Sequence, residues 1–304
     1  MTDRHLFIWQ RRISMSLFAA AILSFMAGLS LPVEHATHQK AVNSAMNLLP
    51  QPRQKQNSPK IEALIGEQEE TYQKIIAQLR EKEKAQVLAF SLPVQFQGKT
   101  IEQVYLPNKQ KVIALTFDDG PWPETTNHVL YALKKHTVKA TFFVVGKNVQ
   151  RYPDQLKKIL ENGHAIGNHS WNHQYNYHNS SAAAREIDNT AALINKITGV
   201  KTSLFRPPGG ILDNGLTNYA LQKNYAVVMW SADPKDWHFR GTSTKLIKDV
   251  VDIAQPGGIV LLHDGGGERS TTVQALPILI TELKKRGYRF VTVPELLEMA
   301  SSSK

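Results

Sequence analysis

Beyond Lys111, short apolar runs alternate along the chain with longer segments of helical periodicity. The runs have the length of buried strands and are bounded by glycine, proline or polar residues. This alternation is typical of parallel strands joined by helical crossovers, so an α/β fold is predicted, a distorted and incomplete (β/α) barrel of about seven parallel strands. The predicted strands are Val112–Phe117, Ala140–Val145, His164–Gly167, Ser203–Phe205, Ala226–Trp230, Ile259–His263 and Arg289–Val293.

The first part of the chain has a different hydropathy pattern. Basic residues precede an apolar run from Ile13 to Leu31. This order is typical of an export signal, and the run approaches the roughly 20 residues that span a bilayer. A buried core helix is the alternative. We therefore predict a signal peptide or membrane anchor over residues 1–33, with tethering through residues 13–33. The remainder would be exported, to the periplasmic or extracellular face.

Between this segment and the α/β region, the sequence predicts a linker and an extension. Residues 34–59 are polar and low in complexity, as in a flexible linker. Apolar positions then recur with helical spacing, which predicts an amphipathic helix that docks on the main domain or forms a stalk. A coiled coil is the weaker alternative, because Gln68 and Lys82 interrupt the seam. Val94 to Leu106 predicts a short hairpin. The helix and hairpin occupy residues 60–106, and the main domain residues 107–304.

Composition narrows the possible partners. The chain has 304 residues, 42% of them hydrophobic, which is enough for one large core and an appendage. Its net charge of +10 favours polyanionic surroundings such as lipid head groups or acidic cell-wall polymers. The basic residues are spread along the chain, so nucleic acid is not a predicted partner, and no obligate protein partner is predicted. There is no cysteine, so a zinc site must use histidine and carboxylate ligands.

Two adjacent carboxylates, Asp118 and Asp119, end the first predicted strand. Like charges at a half-buried strand end persist at low cost only beside a cation or as a proton-sharing pair. A polar turn is the alternative interpretation. His169 and His173 have the spacing to present two nitrogens to one ion, although a structural histidine pair is the commoner meaning of this spacing. Together the groups indicate a hydrolytic zinc site with an open fourth position.

Further candidate residues follow the carboxyl ends of other predicted strands, where barrels build active sites. Arg206 precedes two prolines and suits orienting a carboxylate, or else forms an ordinary salt bridge. Gly209 and Gly210 allow close backbone approach, so a main-chain N–H there could stabilise an oxyanion.

The last two predicted site segments combine acidic, aromatic and imidazole groups. Asp236 suits fixing a histidine tautomer, and Trp237 offers an apolar wall for a sugar face. His263 is placed as a proton donor, with a structural histidine as the alternative. We expect the neighbouring Asp264 to be solvated.

Five segments in this order resemble the motifs of the polysaccharide deacetylase family, carbohydrate esterase family four. The resemblance spans roughly Lys111 to Leu297 and is carried by Thr116–Asp119, His169–His173, Arg206–Pro208, Asp236–Trp237 and Leu261–His263. It implies that Zn²⁺, or another divalent ion such as Co²⁺, is bound by Asp119, His169 and His173. It also implies a general base, Asp118, oriented by Arg206, and a general acid, His263, tuned by Asp236.

The resemblance also implies an activity for the main domain, the removal of N-acetyl groups from a polysaccharide that contains N-acetylglucosamine. Peptidoglycan or an extracellular polymer ranks ahead of chitin because of the export signal. Two alternatives stay open: a catalytically silent glycan-binding protein, and a hydrolase of other bonds, such as O-acetyl esters of xylan or a small cyclic amide. The expected substrate contacts are Gly209, Gly210, Trp237 and Leu261.

One residue departs from the family pattern. Many members carry an aromatic residue at the position of Gly209. A substrate-contacting ring is therefore missing there, and Trp122 or Trp171 is expected to compensate.

Overall fold

The computed structural model describes residues 66–78, 92–107, 110–238 and 241–301. The chain divides into two compact units, residues 1–72 and residues 73–304. Residues 66–78 are helical, within the range in which the amphipathic helix is predicted, and Tyr72 and Ile75 on this helix are exposed. The predicted signal or anchor and the linker lie outside the described residues. None of the helices within the described ranges has the length and hydrophobicity to cross a membrane.

The second unit is built on one sheet, in which all paired strands are parallel. The seven predicted strands are all present, and one short strand precedes them. In chain order the strands are β1 (Thr100–Ile101), β2 (Val112–Asp118), β3 (Thr141–Val144), β4 (Ala165–Asn168), β5 (Leu204–Phe205), β6 (Ala226–Val228), β7 (Gly258–His263) and β8 (Arg289–Val291).

The sheet curves toward a barrel without closing completely. Its order is β1-β6-β5-β4-β3-β2-β7, and β8 pairs with the first half of β2. Just beyond β6, Ala232 forms an isolated parallel bridge with Val260 of β7. Gln103, just after β1, forms a second, antiparallel bridge with Gly258 of β7, so among the described residues the two sides of the sheet meet through isolated bridges and not through a continuous ladder. The predicted fold, an incomplete (β/α) barrel, is confirmed.

Helices cover the outside of the sheet and follow most of the strands. Their lengths match the crossovers that parallel strands require. They are α1 (Pro123–Lys135), α2 (Gly146–Arg151), α3 (Pro153–Glu161), α4 (Ser180–Thr198), α5 (Leu216–Gln222), α6 (Ser243–Ile253), α7 (Ser270–Lys285) and α8 (Val293–Ser301).

The side chains of strand β2 pack into two different hydrophobic clusters, one on each face of the sheet. The residues of β2 are all buried, which explains why the strand begins with a continuous apolar run from Val112 to Leu115. Ile113, Leu115 and Phe117 pack in the cluster that contains residues of α1 and α7, whereas Val112 and Ala114 pack in the cluster that contains β6 and α8. Because side chains alternate along a strand, the even-numbered side points to the barrel interior, and Asp118 continues that side.

The hairpin predicted for Val94 to Leu106 is wrong. Val94–Phe96 forms a single 3₁₀ turn, and Thr100–Ile101 pairs in parallel with Val227 and Val228. The segment extends the main sheet instead of pairing with itself. The physical reason is that the edge of β6 offers unpaired backbone groups in a partly closed barrel, which a two-residue strand can satisfy.

Candidate active site

The predicted site residues converge because they follow parallel strands. Asp118 ends β2 and is paired in register with His263, which ends β7. Asn168 and Phe205, the last residues of β4 and β5, are likewise paired, and His169 and Arg206 follow them directly. All these ends lie at one edge of the sheet, so four side chains from distant parts of the sequence share one location.

A backbone turn brings Asp118 and Asp119 to the same centre. Asp119 has φ 72°, in the left-handed region, so the strand's alternation of side chains ends there. The Asn148 side-chain amide donates to the Asp119 carbonyl oxygen at 2.7 Å and holds this turn. Asp119 Oδ2 lies against the backbone of Gly266, where a Cβ atom would approach it to 2.3 Å. Only glycine at position 266 leaves room for the carboxylate.

Asp119, His169 and His173 form a group that could hold a metal ion, with one ligand atom from each and all three atoms within 4.8 Å of one another. Asp119 Oδ1 lies 3.0 Å from His173 Nε2 and 3.6 Å from His169 Nε2. This oxygen is buried, and no donor among the described residues makes a well-aligned hydrogen bond to it. One carboxylate and two imidazoles, with an oxygen that lacks a donor at their centre, fit a divalent ion such as zinc.

The protonation of the cluster also fits an ion site. Burial lowers the pKa of His169 to about 4, against the opposing charges of Asp118 and Asp119, so this ring is neutral near pH 7. Burial raises the pKa of Asp119, but the contact with His173 and the neighbouring histidine charges outweigh it and lower the pKa overall. The pKa of His173 is raised, because the Asp119 carboxylate outweighs burial. An ion that binds here would compete with the proton that the Asp119 carboxylate favours on His173.

Arg206 is fully buried and holds Asp118. Its Nη1 atom donates at 2.8 Å to Asp118 Oδ1 and, also at 2.8 Å, to Thr116 Oγ1. Its Nε and Nη2 atoms donate to the carbonyl oxygens of Val228 and Met229 at the end of β6. The second carboxylate oxygen, Asp118 Oδ2, faces His169 Nε2 at 3.6 Å. One oxygen is thus held by a fixed cation, while the other faces the group formed by Asp119, His169 and His173.

His263 and Asp236 form a second buried pair. The His263 ring contacts Asp236 Oδ1 through Nδ1 at 2.6 Å, while Asp236 Oδ2 accepts from the His263 backbone N–H and from Thr272 Oγ1. Burial lowers the pKa of His263, but the Asp236 carboxylate outweighs it and the pKa is raised overall. An aspartate on Nδ1 leaves Nε2 to carry the exchangeable proton.

The predicted substrate contacts have different surroundings. The Gly210 N–H donates to the Pro207 carbonyl at 3.0 Å, so that amide is already engaged, and an oxyanion donor in this turn stays a prediction for Gly209 only. Trp237 is 51% exposed and can meet a ligand. Leu261 is 3% exposed, and its N–H donates to Ala232, so its role in substrate contact stays a prediction.

Compensation by Trp122 or Trp171 stays a prediction, because neither ring is among the three nearest contacts of a Cβ atom built at Gly209. Trp122 packs edge-on against Tyr152, with the ring centroids 6.4 Å apart. Trp171 lies against Gly146, where a Cβ atom would meet its ring at 2.5 Å. The atoms nearest to a Cβ atom built at Gly209 belong to Tyr175, a residue that the sequence did not single out.

Two acidic residues near the site were also missed. Glu186 accepts from the backbone N–H groups of Trp171 and Asn172 and so shapes the loop that carries His173. Its position on the buried side of α4, next to Ile187, was the available signal, because an acid there needs partners. The expectation that Asp264 is solvated is wrong. It is fully buried, and burial, with the charges of the nearby Asp119 and Asp118, raises its pKa to about 7.

An incomplete barrel that gathers carboxylates, imidazoles and an arginine at the carboxyl ends of its strands is the architecture of an α/β enzyme. The chain belongs to the polysaccharide deacetylase family, as its motifs predict. The family model described as "Polysaccharide deacetylase" matches residues 106–228. A peptidoglycan-N-acetylglucosamine deacetylase of Bacillus cereus is 46% identical over 197 residues, which cover 63% of this chain and 91% of that protein.

Two further relatives show how far the similarity extends. A peptidoglycan-N-acetylmuramic acid deacetylase of Bacillus subtilis is 41% identical over 199 residues, which cover 65% of this chain but only 41% of that protein. The crystal structure of the Bc1960 peptidoglycan N-acetylglucosamine deacetylase aligns with a TM-score of 0.62 at 34% identity, over 68% of this chain and 98% of that one. The similarity thus covers about two thirds of the chain.

Proposed function

We propose that this chain is a metal-dependent hydrolase that removes N-acetyl groups from an N-acetylglucosamine-containing polysaccharide, with peptidoglycan ahead of other extracellular polymers and chitin. The observation that carries the proposal is the buried Oδ1 atom of Asp119, which lies within 3.6 Å of two imidazole nitrogens and has no well-aligned hydrogen bond among the described residues. Asp118 and His263 flank it as separate titratable groups. The substrate class is supported by the relatives, which act on peptidoglycan according to their names.

Asp119, His169 and His173 would hold the divalent ion, with Zn²⁺ favoured by the oxygen and nitrogen donors. When bound, the ion supplies Lewis-acid polarisation of the acetyl carbonyl and of water. The chain prepares His169 for this role through a 2.7 Å hydrogen bond from Nδ1 to the Arg206 carbonyl, which leaves Nε2 free as a donor atom.

Asp118 would act as the general base and take a proton from the attacking water. Its Oδ1 atom is held by Arg206, and its Oδ2 atom faces the ligand cluster. Because the guanidinium is buried and makes further hydrogen bonds to Thr116, Val228 and Met229, it cannot follow the carboxylate if the latter rotates. We therefore assign Arg206 the role of orienting the base.

His263 would act as the general acid and protonate the amine nitrogen as the C–N bond of the acetamide breaks. The products are acetate and a free amino sugar. Asp236 would hold the ring in one tautomer and favour its protonated form, since this carboxylate raises the pKa of His263. The base and the acid come from the ends of β2 and β7, which are adjacent in the sheet.

The proposed location is outside the cytoplasm, because the substrate is a cell-wall polymer. Residues 1–33 would deliver the chain as a signal peptide or hold it at the membrane, and residues 34–59 would act as a linker. The deacetylase domain would occupy residues 107–304, after the extension at residues 60–106. Immunoblotting of cell fractions tests the proposed role of residues 1–33. It compares the location of the full chain with that of a chain that lacks these residues.

Acetate release tests the proposed activity. The purified chain is incubated with an N-acetylglucosamine oligomer, with peptidoglycan fragments and with O-acetylated xylan oligomers, each with zinc and with a chelator. Zinc-dependent release from the N-acetylated substrates is the expected result. Release from the xylan ester alone would replace the proposal with an O-acetyl esterase. No release from any of them, together with glycan binding, would replace it with a silent glycan-binding protein.

A further inference from the structure

Tyr175 places an exposed aromatic ring beside the ligand cluster. It follows His173 by two residues, and the two rings meet edge to face with centroids 5.3 Å apart and planes at 73°. Tyr175 is nevertheless 58% exposed. The ring is therefore held on one side by a proposed metal ligand and is open to solvent on the other.

The backbone of Gly209 is the second contact that fixes this ring. A Cβ atom at position 209 would lie 3.0 Å from Tyr175 Cε1 and 3.4 Å from Cδ1, and its three nearest neighbours would all be Tyr175 atoms. Gly209 also has φ 61°, which other residues adopt only with strain. A side chain at position 209 would push the ring away. Tyr175, from the loop after β4, thus occupies the space above the loop after β5.

Two other exposed aromatic residues, Tyr177 and Trp122, have ring contacts that differ from those of Tyr175. Tyr177 is in the same loop and is 74% exposed, but within the described residues it makes no ring contact with the cluster. Trp122 packs against Tyr152. Tyr175 is distinguished by its simultaneous contact with His173 and Gly209.

We propose that Tyr175 is a substrate-contacting residue, whose ring packs against the C–H face of the N-acetylhexosamine unit being deacetylated. This inference rests on the proposed function and adds a specificity-determining residue to it. The electron-rich face of an aromatic ring attracts the weakly positive C–H face of a pyranose, and a tyrosine ring loses little conformational entropy when it is held. Gly209, the departure from the family pattern, then has a physical role, because it makes room for a ring supplied by another loop.

Kinetics of the zinc-loaded full chain with an N-acetylglucosamine pentamer test the proposal. We expect Tyr175→Ala to raise KM about tenfold and to change kcat less than about threefold, as the loss of one stacked ring predicts. Tyr175→Phe keeps the ring and should stay near the parent. Tyr177→Ala is the matched control for an exposed tyrosine of the same loop and should leave both constants unchanged. A parental KM for Tyr175→Ala would overturn the proposal.

Gly209→Ala tests the contact between Tyr175 and Gly209 by changing the second partner. Its Cβ atom displaces the ring, so KM should rise in the same direction as for Tyr175→Ala, and a melting temperature measured alongside separates this effect from unfolding. If Gly209→Ala melts below the assay temperature, the Tyr175→Ala result decides alone.

Binding separates this inference from the proposed function. Calorimetry of the pentamer with zinc-loaded Asp118→Asn protein, with and without Tyr175→Ala, measures the contact without turnover, and zinc content is checked in both. An affinity about tenfold weaker supports the role of Tyr175, even if the parent releases no acetate. If the parent releases acetate but Asp118→Asn binds the pentamer equally well with and without Tyr175→Ala, the proposed deacetylase activity is supported and the role of Tyr175 is refuted. A parent that neither binds nor cleaves the pentamer would overturn both.

Discussion

His169 and Arg206 are joined by a 2.7 Å hydrogen bond from the imidazole Nδ1 to the backbone carbonyl. The side chain of the same arginine holds Asp118 at 2.8 Å. One residue therefore fixes the tautomer of a proposed metal ligand through its main chain and orients the proposed base through its guanidinium. The two parts of the site cannot shift independently, which accounts for an arginine that is completely buried at this position.

Asp118→Asn should abolish turnover and leave the ion in place. The amide cannot take a proton from water, and we expect acetate release to fall by a factor of about 10² to 10⁴. Acetate release and metal analysis on the same preparation measure the two effects. Loss of one equivalent of metal from this variant would contradict the separation between base and ligands.

His169→Ala should remove the ion itself. The substitution leaves only Asp119 and His173 to bind it, so the metal content after dialysis should fall far below one equivalent. His128→Ala is the control, because His128 is an exposed histidine on α1. Parental metal content in His169→Ala would show that this histidine is not a ligand.

Asp236→Asn should move the alkaline limb of the pH profile to lower pH. His263 must be protonated to act as an acid, and the Asp236 carboxylate raises its pKa against the effect of burial. Without that charge the pKa falls, and we expect the loss of kcat/KM at high pH to begin at a lower pH than in the parent. Thr272→Val removes a hydrogen bond to the same carboxylate but keeps the charge. An alkaline limb at the same pH in the parent and in both variants would contradict the proposal that Asp236 raises the pKa of His263.

Asp264→Asn should change how stability depends on pH. Burial raises the pKa of Asp264 from 3.8 to about 7, so the protonated acid is favoured in the folded state. The stability that this group contributes is complete below its unfolded pKa and is lost as the pH rises toward 7. Relative to the variant, the metal-free parent should lose up to about 1.4 kcal/mol of unfolding free energy per pH unit in that range.

Denaturant unfolding at several pH values between about 4 and 7 measures this difference. Asp154→Asn is the control, since the Asp154 side chain is 84% exposed and forms only a surface ion pair with Lys157. Parallel pH dependence in the parent and in Asp264→Asn would mean that Asp264 is already ionised in the folded protein at low pH.

The sequence predicted the strands, and the edge of the sheet at which the candidate residues meet, because both follow from local patterns. Strand β2 is buried on both faces, so its residues from Val112 to Leu115 are all apolar and the strand could be recognised without its neighbours. The meeting of Asp118 with His263 then follows from parallel pairing alone, which places strand ends side by side. Hydropathy and parallel topology together were therefore sufficient to predict the strands and the meeting of their ends.

Contacts between loops could not be predicted in the same way. Tyr175 and Gly209 are far apart in sequence, and no periodicity connects them. Asp264 was expected in solvent because it follows the end of a strand, yet α1 covers it and Thr126 donates to its carboxylate. The failed hairpin has a similar cause, since Thr100–Ile101 found its partner in β6. In each case the partner is set by the closing of the barrel.

Arg206 has a consequence for inactivation by heat. Its guanidinium joins the end of β2, through Asp118 and Thr116, to the end of β6, through Val228 and Met229. These strands lie on opposite sides of the curved sheet, so the base is correctly oriented only while the sheet stays curved. Catalysis and cooperative melting should therefore disappear at the same temperature, without an intermediate that is folded but inactive.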